Sequence, residues 1–447
     1  MARNRSRGSQ ETDFSRSRVN RRRLIQASAA GVAAASLGIG GKALAQTPAA
    51  SPVEVPALPE YDGSEVTITY GIWDAAQEDG VRQQIAGFNE EFPNITVELQ
   101  LTPWNDYWTK LQTAVAGGEA FDVFWLNSAY CPVYASAGAL VPLQGLFDDG
   151  SLDAANYPAP VLELYNFQGL QYATPREYDT IGLFYNKDLF DAAGEAYPDD
   201  SWDWAKLREV AERLANEDAG QWGLGLQTSG QENYTNFIFQ NEGKLLNDER
   251  TACVVADDGN SAEAIEANVQ FFIDGLTPGM DIQQANPVAE SLFPAGQVAM
   301  MPGGSFRAKT YDSIDANIDV APLPKGKIQA SVIHGLGHVV WSGSQYQGAA
   351  VEFVKYLASE AGERILGESG MGIPAFQGLE STWLDSLENV NGQVFVDASS
   401  YGVIVPDPES GPEWQGRLGE EIVKGFNGET PVEDVPQAAQ DSANEVL

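Results

Sequence analysis

Apolar residues Val66, Ile68, Tyr70 and Ile72 alternate with Thr67, Thr69 and Gly71, and a period of two predicts a strand with one buried face. Val81, Ile85, Phe88 and Phe92 then recur every three or four residues, the spacing of an amphipathic helix, which Pro93 closes. Period two returns at Ile95, Val97, Leu99 and Leu101. Leu111 and Val115 carry a second helical face that stops at Gly117 and Gly118, and Asp122 to Leu126 form a short buried-strand run. The order β-α-β-α-β predicts right-handed crossovers and a mainly parallel sheet, whose binding edge lies beyond the carboxyl ends of the strands.

The same reading places a helix through Leu207, Val210, Ala211 and Leu214, and another through Ile265, Val269 and Phe272 after Ser261. These belong to a second α/β unit. Near the end, Val351, Val354 and Leu357 predict one helix, Trp414, Leu418, Ile422 and Phe426 a second, and Val435, Ala439 and Val446 a third. No internal repeat or long low-complexity tract interrupts this part of the chain.

The amino-terminal end reads differently. Arg21 and Arg22 precede a weakly apolar Ala/Gly run that ends in Ala43, Leu44 and Ala45, the pattern of a Tat export signal cut after Ala45. Leu and Ile are too sparse there for a membrane anchor, and no Cys near the cut would carry a lipid. Residues 46–61, with Pro48, Pro52, Pro56 and Pro59, predict a flexible leader. Cleavage would leave 402 of 447 residues, enough for two cores, and would remove nine of 26 basic and two of 63 acidic residues. The resulting formal charge of −44 repels nucleic acid and anionic membrane and keeps an exported protein in solution. Cys131 and Cys253 are too few for a disulfide scaffold and are expected as two separate thiols.

Catalytic and metal motifs are missing. His334 and His338 are four apart, but Gly335, Leu336 and Gly337 between them favour a loop or strand end over a metal-binding helix. The chain has no G-x-S-x-G, and neither Gly223/Gly225 nor Gly335/Gly337 completes a dinucleotide fingerprint. Neither cofactor nor metal is expected. Aromatic residues instead stand beside polar ones where strands run out: Trp73 and Asp74, Asn127 to Tyr130, Tyr178 and Asp179, Asn233 and Tyr234, Gly304 to Phe306. A sugar offers an apolar C–H face and an edge of hydroxyls, so flat rings beside carboxylates and amides suit a neutral carbohydrate.

The chain resembles the extracellular solute-binding proteins of ABC importers, in the sugar-binding branch that includes the maltose-binding proteins. The resemblance covers nearly all of residues 64–447. It rests on Phe121 to Trp125 followed by Tyr134, Ala135 and Gly138 to Leu140; on Ala173 to Pro175 followed by Leu183 to Leu189; on Ser201 to Asp203; on Phe293, Gly296 to Met301 and Gly304; on Ala321 to Pro324; and on Ala350, Phe353, Val354 and Leu357.

This resemblance implies an α/β two-lobed periplasmic-binding-protein clamshell with discontinuous lobes. Residues 62–177 plus 340–385 would form lobe 1 and residues 182–333 plus 390–447 lobe 2, with crossings near Arg176 to Ile181, His334 to Val339, and Glu388. Cys131 and Cys253 would then lie on opposite lobes. The ligand-contacting places fall on Trp73 and Asp74, on Asn127 to Tyr130 with Ser128, on Asp179, on Gln231 to Tyr234 with Glu232, on Phe306, and around Trp414 to Arg417. Phe306 stands where relatives stack a tryptophan, and Ala129 and Tyr130 replace charged residues. Trp414 also begins a core-like stripe, and Arg417 could pair with Glu413 or Glu421 on the surface. Tyr185 to Asp188, Trp202 and the Met300–Met301 pair are expected to be structural.

The function implied is capture of a sugar or oligosaccharide between the lobes by a monomer, outside the cytoplasm, for delivery to permease subunits. Two alternatives stand beside it. One is a polyamine, peptide or metal cargo on the same fold; the other is a secreted carbohydrate-active enzyme with Asp179 and Glu232 as its carboxylates.

Overall fold

The computed structural model describes residues 54–447, apart from the side chains of Asn105 and Glu217. The export signal and the first half of the leader therefore lie outside the described residues. The first unit follows the hydrophobic pattern: β1 (Val66–Ile72), α1 (Glu78–Glu91), β2 (Ile95–Leu101), α2 (Trp104–Gly117) and β3 (Val123–Asn127). Pro93 lies just beyond α1, and α2 ends on Gly118, whose φ of 76° lets its N–H turn back onto the last carbonyls. β1 pairs in parallel with β2 and β3.

Two long strands join this unit to the rest. Thr174–Asn186 and Ser331–Val340 run antiparallel, with Asp179 opposite His334 and Thr180 opposite Ile333. The carboxyl-terminal half of Ser331–Val340 pairs with β3, and the corresponding half of Thr174–Asn186 pairs with Val298–Gly304 and Ile318–Pro322. One ten-stranded sheet thus runs through both lobes, in the order β2, β1, β3, Ser331–Val340, Thr174–Asn186, Val298–Gly304, Trp222–Leu224. The outer pairs are parallel, as alternation with helices requires, while the two connecting strands cross in opposite directions and so pair antiparallel.

The register slips between Leu336 and Gly337, where Glu177 and Pro175 are the successive partners and Arg176 is left over. A bulge of this kind re-aims side chains. Here it allows the neighbours Arg176 and Glu177 to form a buried ion pair, with the guanidinium 4.3 Å from the centre of the Trp125 ring.

Helices cover both faces. Ile68, Tyr70, Val81, Phe88, Phe353 and Val354 pack in the first lobe, and that layer continues past the connecting strand to Phe184, Phe293 and Phe395. A second-lobe core gathers Leu207, Val210, Ile265, Val269, Phe272, Leu418, Ile422 and Phe426, the stripes expected of Trp204–Leu214, Gly259–Ile273 and Glu413–Phe426. Each such side chain contributes about 1.5–3 kcal/mol through burial. Met300 and Met301 are fully buried strand residues, Trp202 is buried ahead of the helix Trp204–Leu214, and Asn186 ends its strand by capping Lys187–Ala193. Cys131 and Cys253 are free, buried and in different cores. Among the described residues no helix is long and apolar enough to cross a membrane.

Candidate functional site

Asn127, Asp179 and Gln231 meet His334 where the connecting strands pass between the lobes. Asn127, the last residue of β3, caps the turn that follows by accepting the Ala129 N–H at 3.1 Å. The same side-chain oxygen lies 2.9 Å from Nε2 of His334. On its other side, His334 Nδ1 is 3.5 Å from Asp179 Oδ2, and Asp179 Oδ1 accepts from Gln231 Nε2 at 2.8 Å. A polar chain therefore runs from the end of a first-lobe strand, through both connecting strands, to a second-lobe loop. Glu232 follows Gln231 and turns the other way: its carboxylate takes Arg307 Nε at 2.6 Å and Nη2 at 2.9 Å, and accepts from the Gly304 N–H. Ser128 is buried beneath the turn that Asn127 caps.

The electrostatics are acidic. Burial pushes Glu177 up to about 7, with the Arg176 charge opposing and Asp179 adding to the rise. Burial likewise lifts Asp407 to about 7 against the pull of His334 and Arg250. For His334, burial favours the neutral ring, but the facing Asp179 carboxylate, with Asp407 and Glu177 behind it, outweighs that and raises its affinity for a proton. His338 has the opposite fate: fully buried against the Tyr70 hydroxyl, it is held well below the ordinary histidine value.

Aromatic surface lies on both sides. Trp73, at the end of β1, stands edge-on to Trp104, Tyr107 and Trp125, with Trp108 tilted beside it. Tyr130 is stacked on Trp108 at 3.8 Å between ring centres. Trp104 is 47 % exposed and Phe306 41 %, unusual for rings this large, and Phe306 lies over Gly304 with the Arg307 guanidinium 5.3 Å from its centre. Asp74 is occupied locally, capping the turn at Ala76 and taking Gln77 Nε2.

The remaining expected residues stand apart from this chain of contacts. Tyr234 and Trp414 line an open pocket of about 660 Å³ built from second-lobe elements, with Thr228, Gly230, Gly419 and Val423 in its walls. Trp414 is 1 % exposed and sits in the core, as its helical stripe indicated, and Arg417 is 4.0 Å from Glu413 on the surface. Among the described residues no group of three His, Cys, Asp or Glu side chains is placed to hold a metal.

Sequence reasoning placed His334 at a crossing between the lobes but gave no ligand-binding role to it or to Arg307, Asp407, Trp104 or Trp108. The tryptophans were legible, since they sit four apart at the start of the helix after β2. Asp407 and Arg307 carried no local signal, because their importance comes from elements far away in the chain.

The sequence matches the bacterial extracellular solute-binding protein family over residues 63–364, and the chain belongs to that family. It is 24 % identical over 333 residues to the galactooligosaccharide-binding protein of Bacillus subtilis, covering 71 % of this chain and 74 % of that one. The maltotriose-binding protein of Pyrococcus abyssi is 23 % identical over 346 residues, 74 % and 72 % of the two chains. Among solved structures, an ABC substrate-binding protein of Listeria monocytogenes in complex with cycloalternan superposes with a TM-score of 0.79 at 25 % identity, over 85 % of this chain and 98 % of that one. The two-lobed α/β fold expected from the sequence is thereby established.

Proposed function

We propose that this protein is the extracytoplasmic receptor of an ABC importer and that it takes a sugar or oligosaccharide between its lobes. The observation that carries the cargo is the polar chain Asn127, His334, Asp179 and Gln231 bordered by aromatic rings at the strand ends, the two surfaces that a pyranose requires. Relatives named for oligosaccharides support it. Of the residues expected from the sequence, the proposed site takes Asp179, Asn127, Tyr130, Trp73 and Phe306, while Tyr234, Trp414 and Arg417 lie outside it. The lobes divide near Arg176 to Ile181, and a ligand that contacts both would favour their closed arrangement for a permease to recognise.

An enzymatic role is disfavoured because Glu232, the second carboxylate such a role would use, is held by Nε and Nη2 of Arg307. Export follows the Tat route signalled by Arg21 and Arg22. A thermal-shift panel of mono- and oligosaccharides, with spermidine and calcium as controls, tests the cargo. A true ligand at 100 times its Kd adds about 2.7 kcal/mol of stability. A shift with spermidine or calcium and none with any saccharide overturns the reading, and reducing ends released from an oligosaccharide would favour the enzyme.

A further inference from the structure

We propose that His334 is a positioning residue of this site: held as an imidazolium, it fixes Asn127 and Asp179 in the orientation in which they meet the ligand. The inference rests on the binding site proposed above and adds a charge requirement to it.

The geometry sets the protonation of both ring nitrogens. Asn127 accepts the Ala129 N–H, so the side-chain atom facing His334 is the amide oxygen and not the amide nitrogen. An oxygen 2.9 Å from Nε2 requires that nitrogen to carry hydrogen. The ring is then left with Nδ1 pointing at a carboxylate oxygen 3.5 Å away. A bare lone pair in that position would repel Asp179, whereas an N–H attracts it, so the arrangement is satisfied on both sides only when both nitrogens are protonated.

The surroundings agree. The strand opposite His334 presents Asp179 and Glu177, while Arg176 is drawn away onto Trp125. The segment after the strand Gly402–Ile404 adds Asp407, whose backbone carbonyl is 3.5 Å from Arg250 Nη1. β3 contributes the neutral Asn127, and Tyr165, nearby, donates its hydroxyl to the Leu126 carbonyl. Asp179 therefore faces the imidazole directly, with Asp407 and the Arg176-paired Glu177 behind it, and no lysine or arginine among the described residues is bonded to the ring.

The chain has only two histidines, which makes the ring directly observable. In protein labelled with ¹⁵N-histidine, His338 gives a neutral ring and His334 a doubly protonated one at about pH 6. The His334 midpoint lies above that of free histidine, and the side-chain amide signals of Asn127 and Gln231 move with it. Asp179→Asn should lower the midpoint most, and Asp407→Asn and Glu177→Gln less.

Because the charged form exists below the midpoint, affinity for a saccharide from the panel falls by about tenfold as pH rises through it. His334→Gln, which keeps a donor for Asn127 without a titrating charge, binds about tenfold more weakly at low pH and loses that pH dependence. A His334 ring that is neutral at about pH 6 overturns the proposal. So does a His334→Gln variant with wild-type affinity and pH profile. Should no saccharide bind while the ring titrates high and the two amides follow it, the cargo reading fails and the positioning role stands.

Discussion

Glu232 and Arg307 form a forked ion pair, Oε1 to Nε at 2.6 Å and Oε2 to Nη2 at 2.9 Å, with both side chains largely withdrawn from water. The pair ties the loop before the helix Tyr234–Gln240 to the turn after the strand Val298–Gly304, and so fixes Gln231 on one side and Phe306 on the other.

Breaking this pair should cost stability. Arg307→Ala strands the buried Glu232 carboxylate and is expected to destabilise the protein by about 3 kcal/mol, whereas Glu232→Ala, which leaves Arg307 its bond to Glu290, should cost less. The double variant should lose less than the two added together. Urea denaturation of the three variants checks it. Unchanged stability in the single variants would mean that Glu232 is free for ligand.

Phe306 should matter for binding alone. Its ring is exposed and supports no core, so Phe306→Ala is expected to leave the melting temperature within a degree or two while weakening saccharide binding by about 1–3 kcal/mol. Calorimetry against several related sugars should find the loss spread evenly among them, since stacking reads a C–H face and not hydroxyl configuration.

Asp179→Ala should behave in the opposite way toward related sugars. Its carboxylate already holds Gln231 and faces His334, and its remaining lone pairs are what a hydroxyl can use. The variant is expected to lose about 1–3 kcal/mol of affinity, unevenly among epimers. Equal loss for every epimer in the same calorimetric series would place the ligand elsewhere.

How much of this was legible in the residues differs sharply between fold and site. The strand through Val66 to Ile72 and the helix through Val81 to Phe88 are local patterns, and they appear where the periodicity put them. Asp179 and Phe306 were reached because short motifs flank them. The bond between Asn127 and His334 joins residues 207 apart in the chain, and no periodicity encodes such a partner. Glu232 looked like a free carboxylate for the same reason: Arg307 is 75 residues away.

Stability should depend on pH through Glu177. Its folded-state value of about 7 lies above the ordinary 4.5, so the folded chain holds this proton more tightly than the unfolded one. Stability from this group is present in full below about pH 4.5 and is lost as pH rises through about 7. Glu177→Gln should remove that loss, so the variant gains on wild type between those limits. Parallel urea titrations at the two ends measure the difference, and a constant gap would contradict it.

The thiols give a structural control. Burial raises Cys131 to about 12 and Cys253 to about 11, so neither should react with iodoacetamide in the native protein at neutral pH. Both should be modified once the chain is unfolded without reductant, as mass analysis can establish. A peptide linked through the two sulfurs would show them paired.

The indoles at the end of β1 have an optical consequence. Trp73 lies 5.3, 5.6 and 5.2 Å from the ring centres of Trp104, Trp108 and Trp125, close enough for their electronic transitions to mix. The near-ultraviolet circular dichroism of the native protein should therefore be dominated by this one corner of the first lobe. Anything that loosens the corner, a ligand wedged against Trp104 included, would alter that spectrum without any label being attached.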